Sequence, residues 1–475
     1  MKVLYCTSEA APFAATGGLA DVAGSLPQEL RLRLVGCRVV MPLYQDIPQS
    51  LRGGMKFVTS LSVPVAWRRQ YCGVFEAHEG GVIYYFIDNQ YYFKRHGLYG
   101  HYDDAERFAF FSRAVIEMLP YLDFKPDVIH CNDWQTALVP VYYSVFYAEK
   151  DWFRGIKTVL TIHNIQYQGK YGRELIEDVL GTPQSATPLL EYGNCVNLLK
   201  GGIECANRVT TVSPTYAQEI LDPWFSYGLE GILRERKWKL SGILNGIDVN
   251  LYNPETDPNL YAGYTAEDFS GKAANKTELH KLLKLEQKAD APLIGMVTRL
   301  VPQKGLDLVR ETLDGILQNS GAQFVLLGSG DWDYEDFFKN MQAKYPGRLC
   351  ACFGFIPELS HKIYAASDVF LMPSKSEPCG LAQMIALRYG AIPVVRETGG
   401  LKDSVQDSGD GKGNGFTFRS YDSGDMYGAV VRALKGYENR EGWNILIQRA
   451  MACDFSWGRS AKEYIRLYRD LIKNG

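Results

Sequence analysis

Two cationic side chains flank a predicted helix start in the second half of the chain. Arg299 directly follows the strand-like segment LIGMVT, and Lys304 precedes the helical segment LDLVRETLDGIL. Cations normally favour helix C-termini, so two of them beside the positive end of a helix dipole indicate a bound anion. Arginine and lysine suit forked and point-charge contacts with phosphate. This segment therefore favours a diphosphate site over two solvated surface cations.

A carboxylate follows another strand of the same half. The strand DVFLMPS leads into a loop that carries Glu377, followed by Gly380 and a helix. An acid in this position binds sugar hydroxyls or stabilises positive charge that develops on a sugar ring. A helix-capping acid is an equally good interpretation of this residue taken alone.

Two glycine pairs each follow a strand and precede a helix. They are Gly17-Gly18, and Gly399-Gly400 with Thr398 before it. Glycine lets the backbone approach a ligand, and a helix start offers unpaired amides and a positive dipole end. Both pairs are therefore candidate anion sites. A plain tight turn accounts equally well for Gly17-Gly18 taken alone.

Four further candidates follow strands in the first half. Asp133 and Trp134 come after VIHC, and His163 and Asn164 come after TVLTI. Isolated histidines are more often hydrogen-bonded structural residues than catalysts. Ligands of parallel sheets bind beyond the carboxyl ends of the strands, so this position favours a functional role.

Two weaker patterns complete the set of candidates. Tyr91, Tyr92 and Tyr99 follow the strand VIYYFI and offer aromatic faces to a sugar channel. Asp331 and Asp333 resemble the paired acids that hold a divalent metal in some sugar transferases. They directly follow LLGSG, where a turn stabilised by Asp is the favoured interpretation.

The whole chain has the composition of an ordinary globular protein. Its 475 residues suffice for two large domains, and the net charge is -3 with 46% hydrophobic residues. This excludes the basic excess of a nucleic-acid binder, and no apolar run of about 18 residues predicts a membrane span. The first residues lack the pattern of a secretory signal, and the ten scattered cysteines include one close pair, Cys350 and Cys352. We expect a cytoplasmic enzyme with reduced thiols.

Strand-like and helix-like segments alternate through the chain in two series. Such alternation predicts an α/β fold with two doubly wound parallel sheets. A Gly-, Asn- and Pro-rich stretch near residues 241–250 predicts the connection between them. The predicted domains are residues 1–242 and 243–454, and residues 455–475 form a final helix. Two facing sheets of this type create a cleft between the domains.

Together these motifs resemble the bacterial glycogen synthases and plant starch synthases. That family consists of retaining glucosyltransferases of the GT-B type, with two Rossmann-like domains facing an interdomain cleft. The resemblance covers nearly the whole chain and includes SEAAPFAATGGLADVAGSLP, HCNDWQTALVP, TIHNIQYQG, TRLVPQKGLDL and PSKSEPCGLAQMIALRYGAIPVVRETGGLKD. It implies ADP-glucose as co-substrate and an α-1,4-glucan as acceptor. It also implies domain closure, no metal or other cofactor, and a C-terminal helix packed on the N-terminal domain.

The resemblance further implies which residues form the site. The implied catalytic residues are Glu377, His163, Arg299 and Lys304. The implied donor-binding residues are Ala15, Gly17, Gly18, Asp21, Asp133, Trp134, Asn164, Asn245, Gly380, Leu381, Thr398, Gly399 and Gly400. Tyr91 and Tyr92 fall on an aromatic of the sugar or acceptor channel.

The chain departs from the family pattern at two positions of the predicted site. The family has lysine where this chain has Ala15, and bacterial members often have histidine where it has Gln135. Loss of one charged hydrogen bond costs about 1.5 to 3 kcal/mol, or roughly 10- to 100-fold in donor affinity. One alternative is therefore a catalytically weakened glucan-binding homologue. Another is a retaining GT-B transferase with a different donor or acceptor. Many of those carry a second glutamate eight positions after the first, where this chain has Ile385, which favours the glucan synthase.

Overall fold

Strands and helices alternate along the chain and fall into two units. The computed structural model describes residues 1–474. Unit 1 comprises Met1–Ile243 together with the segment from Trp457 onward, and unit 2 comprises Leu244–Ser456. The chain thus divides after residues 243 and 456, where the sequence analysis placed the boundaries after 242 and 454. The final helix belongs to the same unit as the N-terminus.

Unit 1 is built on a nine-stranded sheet. The strands of unit 1, nine in this sheet and three in a second one, are β1 (Lys2–Cys6), β2 (Gly36–Pro42), β3 (Lys56–Val65), β4 (Arg68–Glu79), β5 (Val82–Asp88), β6 (Val128–Asn132), β7 (Lys157–Ile162), β8 (Lys170–Tyr171), β9 (Glu191–Tyr192), β10 (Cys195–Asn197), β11 (Arg208–Thr211) and β12 (Leu240–Gly242). The sheet has the order β12-β11-β7-β6-β1-β2-β5-β4-β3, and β8-β10-β9 form a small second sheet. From β12 to β5 all neighbours are parallel, whereas β4 pairs antiparallel with β5 and β3.

Helices connect these strands. They are α1 (Gly18–Leu32), α2 (Gln49–Arg52), α3 (Gln90–Phe93), α4 (Asp104–Glu117), α5 (Leu138–Tyr142), α6 (Thr187–Leu190), α7 (Leu198–Cys205), α8 (Pro214–Glu219), α9 (Pro223–Ser226) and α10 (Glu230–Glu235). Short 3-10 turns span Leu119–Tyr121, Gln184–Ala186 and Lys237–Lys239, and π-helical turns span Tyr143–Tyr147 and Ile176–Leu180.

Unit 2 is a six-stranded sheet whose neighbouring strands are all parallel. Its strands are β13 (Leu293–Val297), β14 (Gln323–Gly328), β15 (Leu349–Phe353), β16 (Val369–Met372), β17 (Ile392–Arg396) and β18 (Phe416–Phe418), in the order β15-β14-β13-β16-β17-β18. Its helices are α11 (Gly271–Leu282), α12 (Leu306–Asn319), α13 (Trp332–Lys344), α14 (Pro357–Ala366), α15 (Ala382–Arg388), α16 (Gly399–Ser404), α17 (Ser423–Glu438) and α18 (Arg440–Met451), with 3-10 turns at Pro302–Lys304 and Ser408–Asp410.

The predicted α/β fold with two doubly wound sheets is confirmed. In unit 1 the strand order changes direction between β1 and β6, and in unit 2 between β13 and β16. Loops that leave two such strands diverge to opposite faces of the sheet and form a crevice at its carboxyl edge. The fold therefore predicts that ligand-binding residues lie in the loops after β1 and β6, and after β13 and β16. Among the helices of residues 1–474, none combines the length and apolar character that a membrane span requires.

The final helix, α19 (Trp457–Asn474), is anchored in unit 1 by a buried chain of hydrogen bonds. Tyr468 Oη lies 2.6 Å from His130 Nδ1, and His130 Nε2 lies 2.6 Å from Thr161 Oγ1. A further contact of 2.6 Å joins the hydroxyls of Thr161 and Thr210. The helix also packs against α1. Strands β6, β7 and β11 are thereby linked to the end of the chain.

The buried imidazole of His130 predicts that unit 1 loses stability in acid. Burial lowers the pKa of His130 to about 3, whereas the unfolded side chain titrates near 6.5. Below pH 6.5 only the unfolded chain takes up this proton, so His130 lowers the free energy of unfolding by about 1.4 kcal/mol per pH unit down to about pH 3. We expect H130Q to remove this contribution to the pH dependence of the free energy of unfolding, measured by hydrogen exchange of the β6 amides. H78Q, which changes an exposed histidine, is the control, and an equal slope in H130Q and the parent would contradict the argument.

Candidate active site

A lysine and a glutamate meet at the strand ends of unit 2. Lys304 Nζ lies 2.6 Å from Glu377 Oε2, which also accepts a hydrogen bond from Ser374 Oγ at 3.0 Å. Glu377 is buried and Lys304 is half-buried. They follow the neighbouring strands β13 and β16, so the topology joins side chains 73 positions apart. Glu377 does not cap α15, whose N-cap position is Leu381.

The two loops that carry this pair interlock through their backbones. Gly305 has a φ of 71°, and a Cβ at this position would lie 2.0 Å from the carbonyl oxygen of Pro373. Gln303 donates from Nε2 to the carbonyl oxygen of Ser376 at 3.1 Å, and the Lys375 amide donates to the carbonyl oxygen of Gln303 at 2.9 Å. Only glycine permits this approach, and the approach brings the ammonium group to the carboxylate.

Arg299 differs from Lys304 in having no internal counter-charge. Its side chain is exposed and makes no ion pair or hydrogen bond with the part of the chain that the structure describes. The sequence argument assumed that both cations need an external anion beside the start of α12. That argument is wrong for Lys304, because Glu377 balances its charge. For Arg299 it stays a prediction, because the guanidinium has no partner in the described chain.

The second glycine pair is required by packing rather than by free amides. A Cβ on Gly399, where φ is 42°, would lie 1.9 Å from the Glu377 carbonyl oxygen, and one on Gly400 would lie 2.0 Å from that of Cys379. The amide of Gly400 donates to the Glu377 carbonyl at 3.1 Å. The expectation of a free amide at Gly400 is therefore wrong. The start of α16, with Thr398 at its N-cap position, thus packs against the backbone of the Glu377 loop.

Two buried amide side chains adjoin the same loop. Gln383, which the sequence analysis missed, donates from Nε2 to the carbonyl oxygens of Cys379 at 3.1 Å and Gly380 at 2.9 Å. These bonds hold the loop where Gly380 adopts a φ of 71°. Asn245, a predicted donor contact, is 5% exposed, and its Oδ1 has no hydrogen-bond partner within residues 1–474. A buried, unpaired amide oxygen costs free energy, which a ligand hydroxyl or amine would offset.

In unit 1, Asp133 is held directly after β6 in an unusual backbone conformation. Its φ is 56°, and its Oδ1 accepts the His163 amide hydrogen at 2.7 Å. Burial raises the pKa of Asp133 to about 7, although backbone hydrogen bonds from His163 and Asn164 oppose the rise. The carboxyl group therefore ties the loop after β6 to the loop after β7. The predicted residues Asp133, His163 and Asn164 are brought together.

The imidazole of His163 is neutral and oriented by an asparagine. Burial lowers the pKa of His163 to about 3. His163 Nε2 lies 2.9 Å from Asn132 Oδ1, which also accepts a hydrogen bond from Tyr5 Oη at 2.9 Å, while Asn132 Nδ2 donates to the Cys6 carbonyl. Because Asn132 Oδ1 is an acceptor, His163 carries its proton on Nε2 and keeps Nδ1 as an acceptor. The sequence analysis did not single out Asn132.

The first glycine pair lies in an exposed loop that a buried acid holds. Glu9 Oε2 accepts hydrogen bonds from the Thr16 amide at 2.7 Å and the Thr16 hydroxyl at 2.6 Å. A Cβ on Gly17 or Gly18 would contact nothing within 4 Å. No packing requirement explains these two glycines, in contrast to the second pair. Helix α1 starts at Gly18, with Asp21 in its first turn and no side-chain cap.

The aromatic candidates of unit 1 divide into exposed and buried residues. Tyr91 is 60% exposed, whereas Tyr92 is fully buried and donates its hydroxyl hydrogen to Glu106. The prediction that Tyr92 lines a channel is wrong, because consecutive residues of α3 point to different sides. Trp134 lines a surface cavity of about 400 Å³ with Tyr167 and other residues. The side chain of Gln135 is buried beside it, and its Oε1 has no partner within the described chain.

The acidic pair Asp331 and Asp333 lies at the start of α13, with Asp331 at the N-cap position. Across residues 1–474 there is no group of three or more His, Cys, Asp or Glu side chains that could hold a metal ion. The two acids mark a helix start instead of the Asp-stabilised turn that the sequence favoured, because the Asp331 side chain makes no capping hydrogen bond.

Comparison with known proteins gives matches along both units. Residues 2–235 match the family described as "Starch synthase catalytic domain", and residues 280–445 match "Glycosyl transferases group 1". The glycogen synthase of Desulforamulus reducens is 48% identical over 100% of both chains, and that of Geobacillus stearothermophilus is 50% identical over 100% of this chain and 98% of its own. The catalytic domain of starch synthase IV from Arabidopsis thaliana, bound to ADP and acarbose, has a TM-score of 0.89 and 38% identity, with 99% of each chain covered.

Proposed function

Since the chain belongs to the glycogen synthase family, we propose that it is a retaining glucosyltransferase that moves glucose from ADP-glucose to the non-reducing end of an α-1,4-glucan. Its two Rossmann-like domains are those of the GT-B fold. The observation that carries the proposal is the junction of two strand-end loops in unit 2. One holds the free Arg299 and the paired Lys304, and the other holds the buried Glu377.

We assign the cations to the leaving group. As the bond between glucose C1 and the diphosphate oxygen breaks, negative charge grows on that oxygen, and Arg299 and Lys304 stabilise it. The glucan hydroxyl oxygen bonds to C1, and its proton passes to the released ADP. The Glu377 carboxylate stabilises the positive charge that develops on the sugar ring.

We assign the polar loops of unit 1 to the transferred glucose. Asp133, Trp134 and Asn164 follow β6 and β7 and offer one carboxyl group, one aromatic face and one amide. Neutral His163 offers Nδ1 to a sugar hydroxyl. The exposed amides of Gly17 and Gly18 start α1, where the dipole favours the donor's phosphates. In this scheme the remaining donor contacts are Asp21, Asn245, Gly380, Leu381 and Thr398, and Tyr91 adjoins the acceptor.

We further propose that the reaction needs no resident cofactor and takes place in the cytoplasm. Arg299, with Lys304 beside it, supplies positive charge for a diphosphate without a divalent metal. None of the ten cysteines, all within residues 1–474, forms a disulfide, as is usual in a reducing compartment.

The test is a glucosyl-transfer assay with labelled ADP-glucose and a glycogen primer. We expect the label to enter the glucan in a form that an α-1,4-specific glucosidase releases. Glucan binding without incorporation would contradict the proposal and support the weakened homologue, which Ala15 favours. Incorporation from UDP-glucose but not ADP-glucose would instead indicate a transferase with a different donor.

The variant A15K tests the missing cation of the glycine loop. Ala15 is exposed next to Thr16 and the start of α1, so a lysine here reaches the donor's phosphates. We expect the KM for ADP-glucose to fall about 10- to 100-fold with little change in kcat, because one charged hydrogen bond is gained. A15M adds similar length without charge and should leave KM unchanged. Equal effects of the two variants would contradict the role of charge.

A further inference from the structure

Two cysteines adjoin each other on the edge strand of unit 2. Cys350 and Cys352 are separated by one residue on β15, so their side chains lie on the same face of the sheet. Their Sγ atoms are 3.9 Å apart, and both side chains are half-buried. Strand β15 is hydrogen-bonded on one side only, to β14. Both side chains pack against core residues such as Leu293 and Val325 but stay partly exposed, so solution reagents can reach two thiols that are already close together.

We propose that Cys350 and Cys352 form a reversible disulfide that alters the donor-binding loops of unit 2. A disulfide needs the sulfurs to approach to about 2.05 Å and the Cα atoms to lie within about 6.8 Å. Residues two apart on a strand are about 6.6 Å apart, near that limit. The bond therefore bends the strand. An edge strand tolerates bending, and a strained disulfide is readily reduced again.

The chemistry is a two-electron exchange with a small disulfide such as oxidised glutathione. A hydrogen bond from the Cys350 thiol lowers the pKa of Cys352, so Cys352 is the attacking thiolate. It bonds to one glutathione sulfur and releases the other glutathione as a thiol. The Cys350 sulfur then displaces the second glutathione. Two electrons and two protons pass from the dithiol to the glutathione pair.

The end of β15 is connected to the loop that carries Arg299. The Gly354 amide donates to the Gly328 carbonyl oxygen at 3.1 Å. A Cβ on Gly328 would lie 1.8 Å from the Thr298 carbonyl oxygen, and the Leu300 amide donates to the carbonyl oxygen of Ser329 at 2.9 Å. A bend at Cys352 therefore displaces Gly354, then Gly328, and with it the backbone on both sides of Arg299. This step rests on the proposed role of Arg299 in donor binding.

The chain supplies its own control pair. Cys6 on β1 and Cys131 on β6 are opposite each other in the parallel register, and both are fully buried in the centre of the sheet of unit 1. These two cysteines lie on neighbouring strands, but solution reagents cannot reach their buried thiols. A general sensitivity of cysteine pairs to oxidant would affect both pairs, whereas the proposal predicts oxidation at the edge strand alone.

The experiment treats the full chain with excess oxidised glutathione, blocks free thiols and measures peptide masses. We expect the peptide with Cys350 and Cys352 to lose two hydrogens and the Cys6 and Cys131 peptides to remain reduced. The KM for ADP-glucose should rise about 3- to 10-fold on oxidation, as expected for coupling through shared contacts, and recover on reduction. C350S and C352S should each abolish both changes.

An unchanged dithiol, or glutathione left attached to either sulfur, would overturn the proposal. A disulfide with an unchanged KM would overturn its link to the donor loops. The peptide masses do not depend on activity, so they test the disulfide even if the chain fails to transfer glucose.

Discussion

We expect E377Q to lower kcat about 10³-fold while the KM for ADP-glucose stays the same or falls. Glutamine keeps the size of the side chain and can keep the hydrogen bond with Ser374, so the loop retains its shape. The charge that stabilises the sugar ring in the transition state is lost, and groups of this kind contribute about 3 to 4 kcal/mol. Lys304 loses its internal partner and binds the diphosphate without competition. The measurement is steady-state kinetics with ADP-glucose and glycogen.

A matched change elsewhere separates this effect from general damage. E286Q removes a carboxylate from the surface ion pair with Lys288 and should leave kcat within about twofold, because exposed pairs contribute little. If E377Q kept more than about a tenth of the parent kcat, Glu377 would have no charge-dependent role in the transition state.

We expect K304M to lower both activity and stability, and R299M to lower activity alone. Lys304 is the cation of a largely buried pair, and its removal leaves Glu377 as an uncompensated charge, a change that costs about 3 to 5 kcal/mol in buried pairs. Arg299 has no internal partner within the described chain, so its loss does not affect folding. We expect kcat/KM to fall about 10³-fold for K304M, because the lost ammonium group both pairs with Glu377 and stabilises the leaving group in the transition state. For R299M we expect kcat/KM to fall about 10- to 100-fold.

Thermal denaturation, measured together with the steady-state kinetics, tests this contrast between K304M and R299M. The double variant K304M/E377Q removes both charges, so it should regain most of the stability lost in K304M and none of the activity. An equal loss of stability in R299M and K304M would contradict the assignment of Arg299 as the unpaired cation.

The alternation of apolar runs and helical segments sufficed to predict two doubly wound sheets, but not every strand. The hairpin of β3 and β4 was missed because its turn contains Ala66 and Trp67. Ala66 adopts a φ of 47° without the Gly or Asn that marks such turns in a sequence. Strand β15 was missed because its apolar run, LCACF, contains no β-branched residue, and β18 was missed because its run, FTF, has only three residues.

The candidate site was predictable at the level of loops, but not of contacts. That Glu377 and Lys304 pair depends on the order of strands β13 and β16, which no local pattern encodes. The two glycine pairs are identical in sequence but differ in their surroundings. Gly399 and Gly400 pack against backbone carbonyl groups, whereas no atom lies near the Cβ positions of Gly17 and Gly18. The sequence likewise does not show which of Tyr91 and Tyr92 is exposed, because the short helix α3 decides that Tyr92 is buried.

The return of α19 to unit 1 has a consequence for how the protein is made. Unit 1 lacks its last helix until the ribosome has passed through all of Leu244–Ser456, which takes about 10 to 40 s at roughly 5 to 20 residues per second. During that time the apolar surface that Trp457, Tyr464 and Tyr468 will cover is open. Nascent chains thus leave this apolar surface uncovered until translation is complete, and a chain stopped before Trp457 never covers it.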